Sequence, residues 1–141
     1  VVQPETATGE TSIRGLHILL AEDNELNAEI AARLLNDEGA TVQVVRDGQQ
    51  AIDAFASRPQ GTYDAILMDI MMPKIDGYTA TRVIRSTNRQ DAKAIPIIAM
   101  TAHVFDEDVK QCLEAGMNAH LPKPLQMEKV VSTIARLCKR K

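Results

Sequence analysis

Two cysteines, two tyrosines, two phenylalanines and no tryptophan occur in 141 residues. Cys112 and Cys138 stand far apart, each in an apolar, helix-like pattern. The expectation is two buried free thiols in a reducing compartment, with a disulfide or redox site as the alternative. No apolar run approaches the ~20 residues of a membrane span, so no direct membrane contact is expected. The first eleven residues carry acids and threonines rather than a basic start and an apolar core, so no secretory signal is read. Charge of one sign is scarce too: the formal net charge is −3. That mild acidity argues against nucleic acid as the main partner, and no aromatic residues interleave the basic ones. Arg136, Lys139, Arg140 and Lys141 instead suit the negative carboxyl end of a last helix. Internal repeats and low-complexity tracts are absent.

What is present is ordinary for a globular protein, with 45% hydrophobic and 25% charged residues. The length suits one compact domain, which buries roughly two-thirds of its unfolded surface. Residues 1–13 lack a hydrophobic period, contain Pro4 and Gly9, and read as a linker to a domain over 14–141. The chain opens on Val1 rather than Met, which suggests a piece of something longer.

From residue 16 the pattern is regular. Short apolar runs at 16–21, 65–68 and 95–100, a β-branched run at 41–45 and a final one at 118–121 read as strands. Asn24, Asp47 and Asp76 stand where helix caps belong. The first helix carries Leu26, Ile30 and Leu34 at i, i+4 and i+8 and stops at Gly39. The second turns Ile52 and Phe55 inward, and the third runs to about Thr87. The fourth covers 104–115 with Phe105, Val109, Cys112 and Leu113 facing in, ended by Gly116. The last covers 125–138 with Val130, Ile134, Leu137 and Cys138 in its stripe. Five apolar strands alternating with five helices predict an α/β fold, a parallel sheet covered on both faces and doubly wound by right-handed crossovers.

Such sheets bind ligands outside the carboxyl ends of their strands. Read there, strand 1 ends in Glu22-Asp23, strand 3 in Asp69 and strand 4 in Thr101, and strand 5 runs into Lys123-Pro124. Each residue alone has an ordinary explanation, as a cap, a solvated turn or a complement to a helix dipole. Their joint placement at one edge is far more specific. Two carboxylates about 4 Å apart repel by about 4 kcal/mol at an effective dielectric near 20. Three against one ammonium therefore call for a proton or a cation. A hard divalent ion such as Mg²⁺ fits oxygen ligands, water and phosphate. A carboxylate can also accept a phosphoryl group as an aspartyl phosphate. Thr101 and Lys123 supply the donor and cation that phosphoryl transfer uses. A soft-metal site at Met71-Met72 is disfavoured by the flanking carboxylates, and no histidine pair is spaced for a transition metal.

These residues stand in four motifs. They are Ala21-Glu22-Asp23-Asn24, Leu67-Met68-Asp69-Ile70-Met71-Met72-Pro73-Lys74-Ile75-Asp76-Gly77, Ala99-Met100-Thr101-Ala102 and Leu121-Pro122-Lys123-Pro124. Over residues 15–139 the sequence resembles the receiver (response regulator) domain of two-component signalling. Glu25-Leu26-Asn27 and Ala115-Gly116-Met117-Asn118 make it most like the receivers of hybrid sensor histidine kinases. The resemblance implies a flavodoxin-like (βα)5 sheet in the order 2-1-3-4-5. It makes Asp69 the phosphoacceptor, Asp23 a direct Mg²⁺ ligand, Glu22 its neighbour often acting through water, and Met71 a ligand through its backbone carbonyl. Thr101 becomes the switch hydroxyl, Ala102 a backbone contact to the phosphoryl group and Lys123 the paired lysine, followed by a cis peptide to Pro124. His120 stands where the family often has Tyr or Phe, either as a polar version of the switch aromatic or as a half-exposed strand-end residue. His103 lies at the mouth of the site, and His17 reads as an ordinary strand residue.

The function implied is transfer of a phosphoryl group from a phosphohistidine to Asp69 with Mg²⁺. Thr101 then moves, biasing a two-state surface of the fourth helix, strand 5 and the last helix. The domain would catalyse its own phosphorylation and dephosphorylation without being a conventional turnover enzyme. Its partners would be a histidine kinase or its dimerisation and phosphotransfer domain, and a histidine-phosphotransfer protein docking on the first helix near Leu26, Ala28 and Ala32; the alternative is that these residues simply pack inward. The expected setting is cytoplasmic, as the C-terminal receiver of a hybrid kinase or as a stand-alone response regulator. A phosphatase of the haloacid dehalogenase type would need an acid two residues after Asp69, where Met71 stands. A purely structural interaction module is argued against by the intact set of site residues.

Overall fold

The computed structural model describes residues 12–101 and 106–138, the side chains of 106–108 excepted. Strands β1 (His17–Ala21), β2 (Thr41–Val45), β3 (Ala65–Asp69), β4 (Ile97–Thr101) and β5 (Ala119–Pro122) form one sheet. It is parallel throughout, in the order β2-β1-β3-β4-β5. Helices α1 (Glu25–Asp37), α2 (Gly48–Ala56), α3 (Gly77–Ser86), α4 (Gln90–Ala94), α5 (Asp106–Ala115) and α6 (Met127–Cys138) connect and cover it. β3 and β4, central and covered on both faces, are buried at every position, whereas edge strand β2 is largely half-exposed.

The alternation of strand side chains divides the core in two. Leu19, Ile66, Met68, Ile97 and Ala99 face a cluster with α2, α3 and α5. Ile18, Leu20, Leu67, Ile98 and Met100 face one with α1 and α6. Ile13, within the segment read as a linker, is fully buried in the second cluster. The three caps form as expected: the side chains of Asn24, Asp47 and Asp76 accept from Asn27 N, Gln50 N and Thr79 N at 2.9, 2.7 and 2.8 Å.

The structure departs from the expectations in the facing of two helices, in one cysteine and in one added helix. First, α1 does not bury Leu26, Ile30 and Leu34, which are 63%, 49% and 36% exposed; Ala28, Ala31 and Leu35 face the core. Steps of four residues drift around a 3.6-residue helix, and the alanines let α1 lie close to the sheet. Second, Leu113 points outward, while its neighbour Cys112 is buried; Phe105 lies outside the described residues. Cys138, expected to be buried like Cys112, is only half-buried. Third, α4 was not anticipated, because five residues carry no usable hydrophobic period. It is fixed by charge: the Arg89 guanidinium meets Asp91 at 3.0 and 2.9 Å, donates to Phe55 O at 2.8 Å and lies 4.6 Å from the Phe55 ring centre.

A second arginine ties the edge of the fold together. Arg85 donates to Gly116 O at 2.9 and 2.8 Å, to Ala92 O at 3.0 Å and to Asn118 Oδ1 at 2.8 Å. Asn118 Oδ1 also accepts from Ile97 N at 2.8 Å. Burial pulls the Arg85 pKa down, but the guanidinium stays charged. This network anchors the turn entering β5, and so helps set the position of Lys123.

Candidate functional site

The carboxyl edge of the sheet gathers the predicted residues. β1 delivers Glu22 and Asp23 just beyond its last residue, and Glu22 N donates to Val45 O at 3.0 Å. β3 ends on Asp69, and the register sets Met100 beside it and Thr101 one residue further on. Glu22, Asp69 and Thr101 are buried, whereas Asp23 is exposed at the mouth. Lys123 comes from the loop after β5. Its backbone N donates to Thr101 O at 2.8 Å, and the bond to Pro124 is cis.

The Lys123 ammonium bridges two acids, 3.0 Å from Glu22 Oε1 and 3.0 Å from Asp69 Oδ2. The other oxygens are held by backbone: Asn24 N reaches Glu22 Oε2 at 3.1 Å, and Met71 N reaches Asp69 Oδ1 at 3.3 Å. One lysine cannot neutralise both acids fully. Burial, together with the Glu22 charge, pushes the Asp69 carboxyl up to about 6, against the opposing pull of Lys123. Burial would lower Lys123, but its hydrogen bonds to Glu22 and Asp69 outweigh it and raise that pKa.

This shift predicts a pH dependence. With a folded pKa of about 6 against an ordinary 3.8, the unfolded chain loses the Asp69 proton first on raising the pH. Between those values the folded state binds more protons, so stability falls as pH rises. The thermal midpoint of the metal-free protein is expected to lose this contribution between about pH 4 and pH 6. Asp69→Asn should lack it, so the difference between the two melting profiles reports the carboxyl. Parallel profiles would refute the shift.

A carboxylate oxygen from each of Glu22, Asp23 and Asp69 lies within 4.8 Å of the others. An all-oxygen set with one exposed member and excess negative charge fits a hard divalent cation that keeps some of its water. The Met71 side chain is 75% exposed, so this position is free to act through its backbone. Close packing holds the adjoining chain: a Cβ on Gly77 would sit 2.5 Å from Asp69 O, and Gly77 N donates to Ile70 O at 2.9 Å. His120 is half-buried on β5 opposite Ala99. Ala102 and His103 lie outside the described residues.

Arg46, just past β2, was missed. It approaches Asp23 O at 3.5 Å and Glu25 at 3.9 Å. It lies at the same carboxyl edge, so applying the strand-end rule to β2 would have found it. Beside the site, a groove of about 370 Å³ runs between α1 and the loop after β5, lined by Glu22, Asn27, Ile30, Leu34, Lys123 and Leu125.

Residues 18–135 match the family model of the response regulator receiver domain. This chain belongs to that family. The receiver is 38% identical over 160 residues to Histidine kinase 1 of Arabidopsis thaliana, covering 92% of this chain and 13% of that protein. It is 39% identical over 133 residues to the osmosensing histidine protein kinase SLN1 of Saccharomyces cerevisiae, covering 92% of this chain and 10% of that one. The chain thus spans a small part of the curated relatives it matches, and it is homologous to the receivers of hybrid histidine kinases. Among solved structures, the receiver domain of sensor histidine kinase PA1611 from Pseudomonas aeruginosa PAO1 is 40% identical, with a TM-score of 0.79. The match covers 88% of this chain and 98% of that one, and that crystal has a magnesium ion coordinated in its active site cleft.

Proposed function

We propose that this receiver takes a phosphoryl group from a phosphohistidine onto Asp69 and passes it on or signals with it, as part of a hybrid sensor histidine kinase. The observation that carries this reading is the buried Asp69 carboxylate, held by Lys123 beside two further acids. Glu22, Asp23, Asp69 and the Met71 carbonyl would hold Mg²⁺, which when bound supplies neutralising charge to the transferred group. An Asp69 oxygen attacks phosphorus, the P–N bond breaks, and the histidine leaves with its electron pair. Lys123 neutralises one phosphoryl oxygen. Thr101 and the Ala102 amide donate to others, and the movement of Thr101, with His120 following, shifts the surface of α5, β5 and α6.

The exposed Leu26, Ile30 and Leu34 row and the adjoining groove support α1 as the docking face for a histidine-phosphotransfer domain. An apolar strip ending at the acceptor would bring a donor imidazole to Asp69. No described helix is long and apolar enough to cross a membrane. A cytoplasmic location belongs to the proposal, because that is where a kinase histidine is charged.

The test is transfer of label from a phosphorylated histidine domain, with and without chelator. Labelling should require Mg²⁺. Ile30→Glu should slow it roughly tenfold at low receiver concentration while leaving Mg²⁺ affinity intact. Equal labelling in chelator would refute the metal-assisted reading, and an unaffected Ile30→Glu would refute the docking face.

A further inference from the structure

The segment from Ile70 to Asp76 carries the Met71 carbonyl, so its backbone must hold one conformation for that oxygen to serve a cation. Gly77 pins its far end, as described above. Its middle is unusual: Lys74 has φ 69, in the left-handed region that side chains other than glycine and asparagine rarely adopt. Such a residue persists only where its surroundings over-determine it. Ile75 N then donates back to Pro73 O at 2.8 Å, tightening the turn.

The surroundings come from the start of α2. Gly48 lies against Ile75 so closely that an added Cβ would overlap Ile75 O and sit 2.9 Å from both its carbonyl carbon and its Cβ. Next to it, buried Asp47 uses one carboxylate oxygen to cap α2 and presents the other 3.6 Å from the Lys74 ammonium. The Lys74 side chain is 71% exposed, so that ion pair contributes little. The close approach of Gly48 to Ile75 is the other restraint on the turn. Ile75 is in turn half-buried against the core cluster of α2 and α3.

We infer that Gly48 is a positioning residue of the metal site: the first residue of α2 buttresses the turn at Lys74-Ile75 and thereby aims the Met71 carbonyl at the cation. This rests on the reading of Met71 as a ligand. It extends the site to the β2–α2 turn, none of whose side chains is required to touch the ion. Residues supporting metal ligands typically change affinity by 10–100-fold when altered.

The experiment is Mg²⁺ titration of the whole chain followed by backbone amide shifts, with phosphotransfer measured against Mg²⁺ concentration. Gly48→Ala should bind Mg²⁺ roughly tenfold more weakly or worse. Its transfer rate at saturating Mg²⁺ should stay within about twofold of the parent, a split that general destabilisation would not produce. Ile75→Ala loosens the same turn without adding bulk, folds because Ile75 is only half-buried, and should weaken Mg²⁺ at least about threefold. If Gly48→Ala does not fold, Ile75→Ala decides alone. Parental Mg²⁺ affinity in a folded variant would overturn the inference. Failure of the parent itself to bind Mg²⁺ would overturn the metal reading and the inference with it.

Discussion

Asp69→Asn is expected to abolish phosphoryl transfer while keeping the fold. The amide is nearly isosteric, can still accept from Met71 N, and removes a carboxylate that burial and Glu22 already disfavour. The loss should be at least about a thousandfold, because an amide oxygen is a poor nucleophile. The same variant should melt higher than the parent at pH 7 without metal, since it relieves crowding between two buried acids. Activity and stability thus move in opposite directions, as expected of a strained functional group and unlike a structural one. The measurement is labelling from a phosphohistidine donor beside a melting curve. Labelling within tenfold of the parent would refute the assignment.

Lys123→Met carries the second large effect. The ammonium stands between Glu22 and Asp69, 3.0 Å from each, and removing it leaves two buried carboxylates facing each other. Breaking a buried pair by deleting one partner costs about 3 kcal/mol or more. One acid then takes up a proton, which limits the loss, so destabilisation should be larger at pH 7 than at pH 4. Transfer should fall roughly a hundredfold or more, because a charge aimed at the phosphoryl oxygens is gone. Extra Mg²⁺ should restore stability better than it restores transfer, since a cation can replace the charge but not the directed donor. Equal stability at both pH values would contradict the electrostatic account.

Much of this was legible because β1, β3 and β4 are apolar to their last residues and then break to Glu22-Asp23, Asp69 and Thr101. In a parallel sheet that break marks one edge, so linear positions become neighbours without knowledge of any side-chain contact. Lys123 was legible because strand 5 runs into Lys123-Pro124 at that same edge. Facing was harder to read. The row Leu26, Ile30, Leu34 looks like a core stripe, yet the small Ala28 and Ala31 lie inside, because close approach of a helix favours small residues and period alone carries no sign. α4 depends on Arg89 meeting Asp91 two residues on and Phe55 on α2, the latter a contact between segments that no local pattern encodes. Gly48 could be read as a helix start but not as a neighbour of Ile75, and Arg46 was missed because the strand-end rule was not carried to β2.

The most direct test of the central claim locates the phosphoryl group itself. The protein is incubated with a phosphorylated histidine donor, the acyl phosphate is trapped by reduction, and the modified residue is identified by mass spectrometry with and without Mg²⁺. The account predicts modification at Asp69 alone, dependent on Mg²⁺. Modification at another residue, or at Asp69 equally in the presence of chelator, would contradict it.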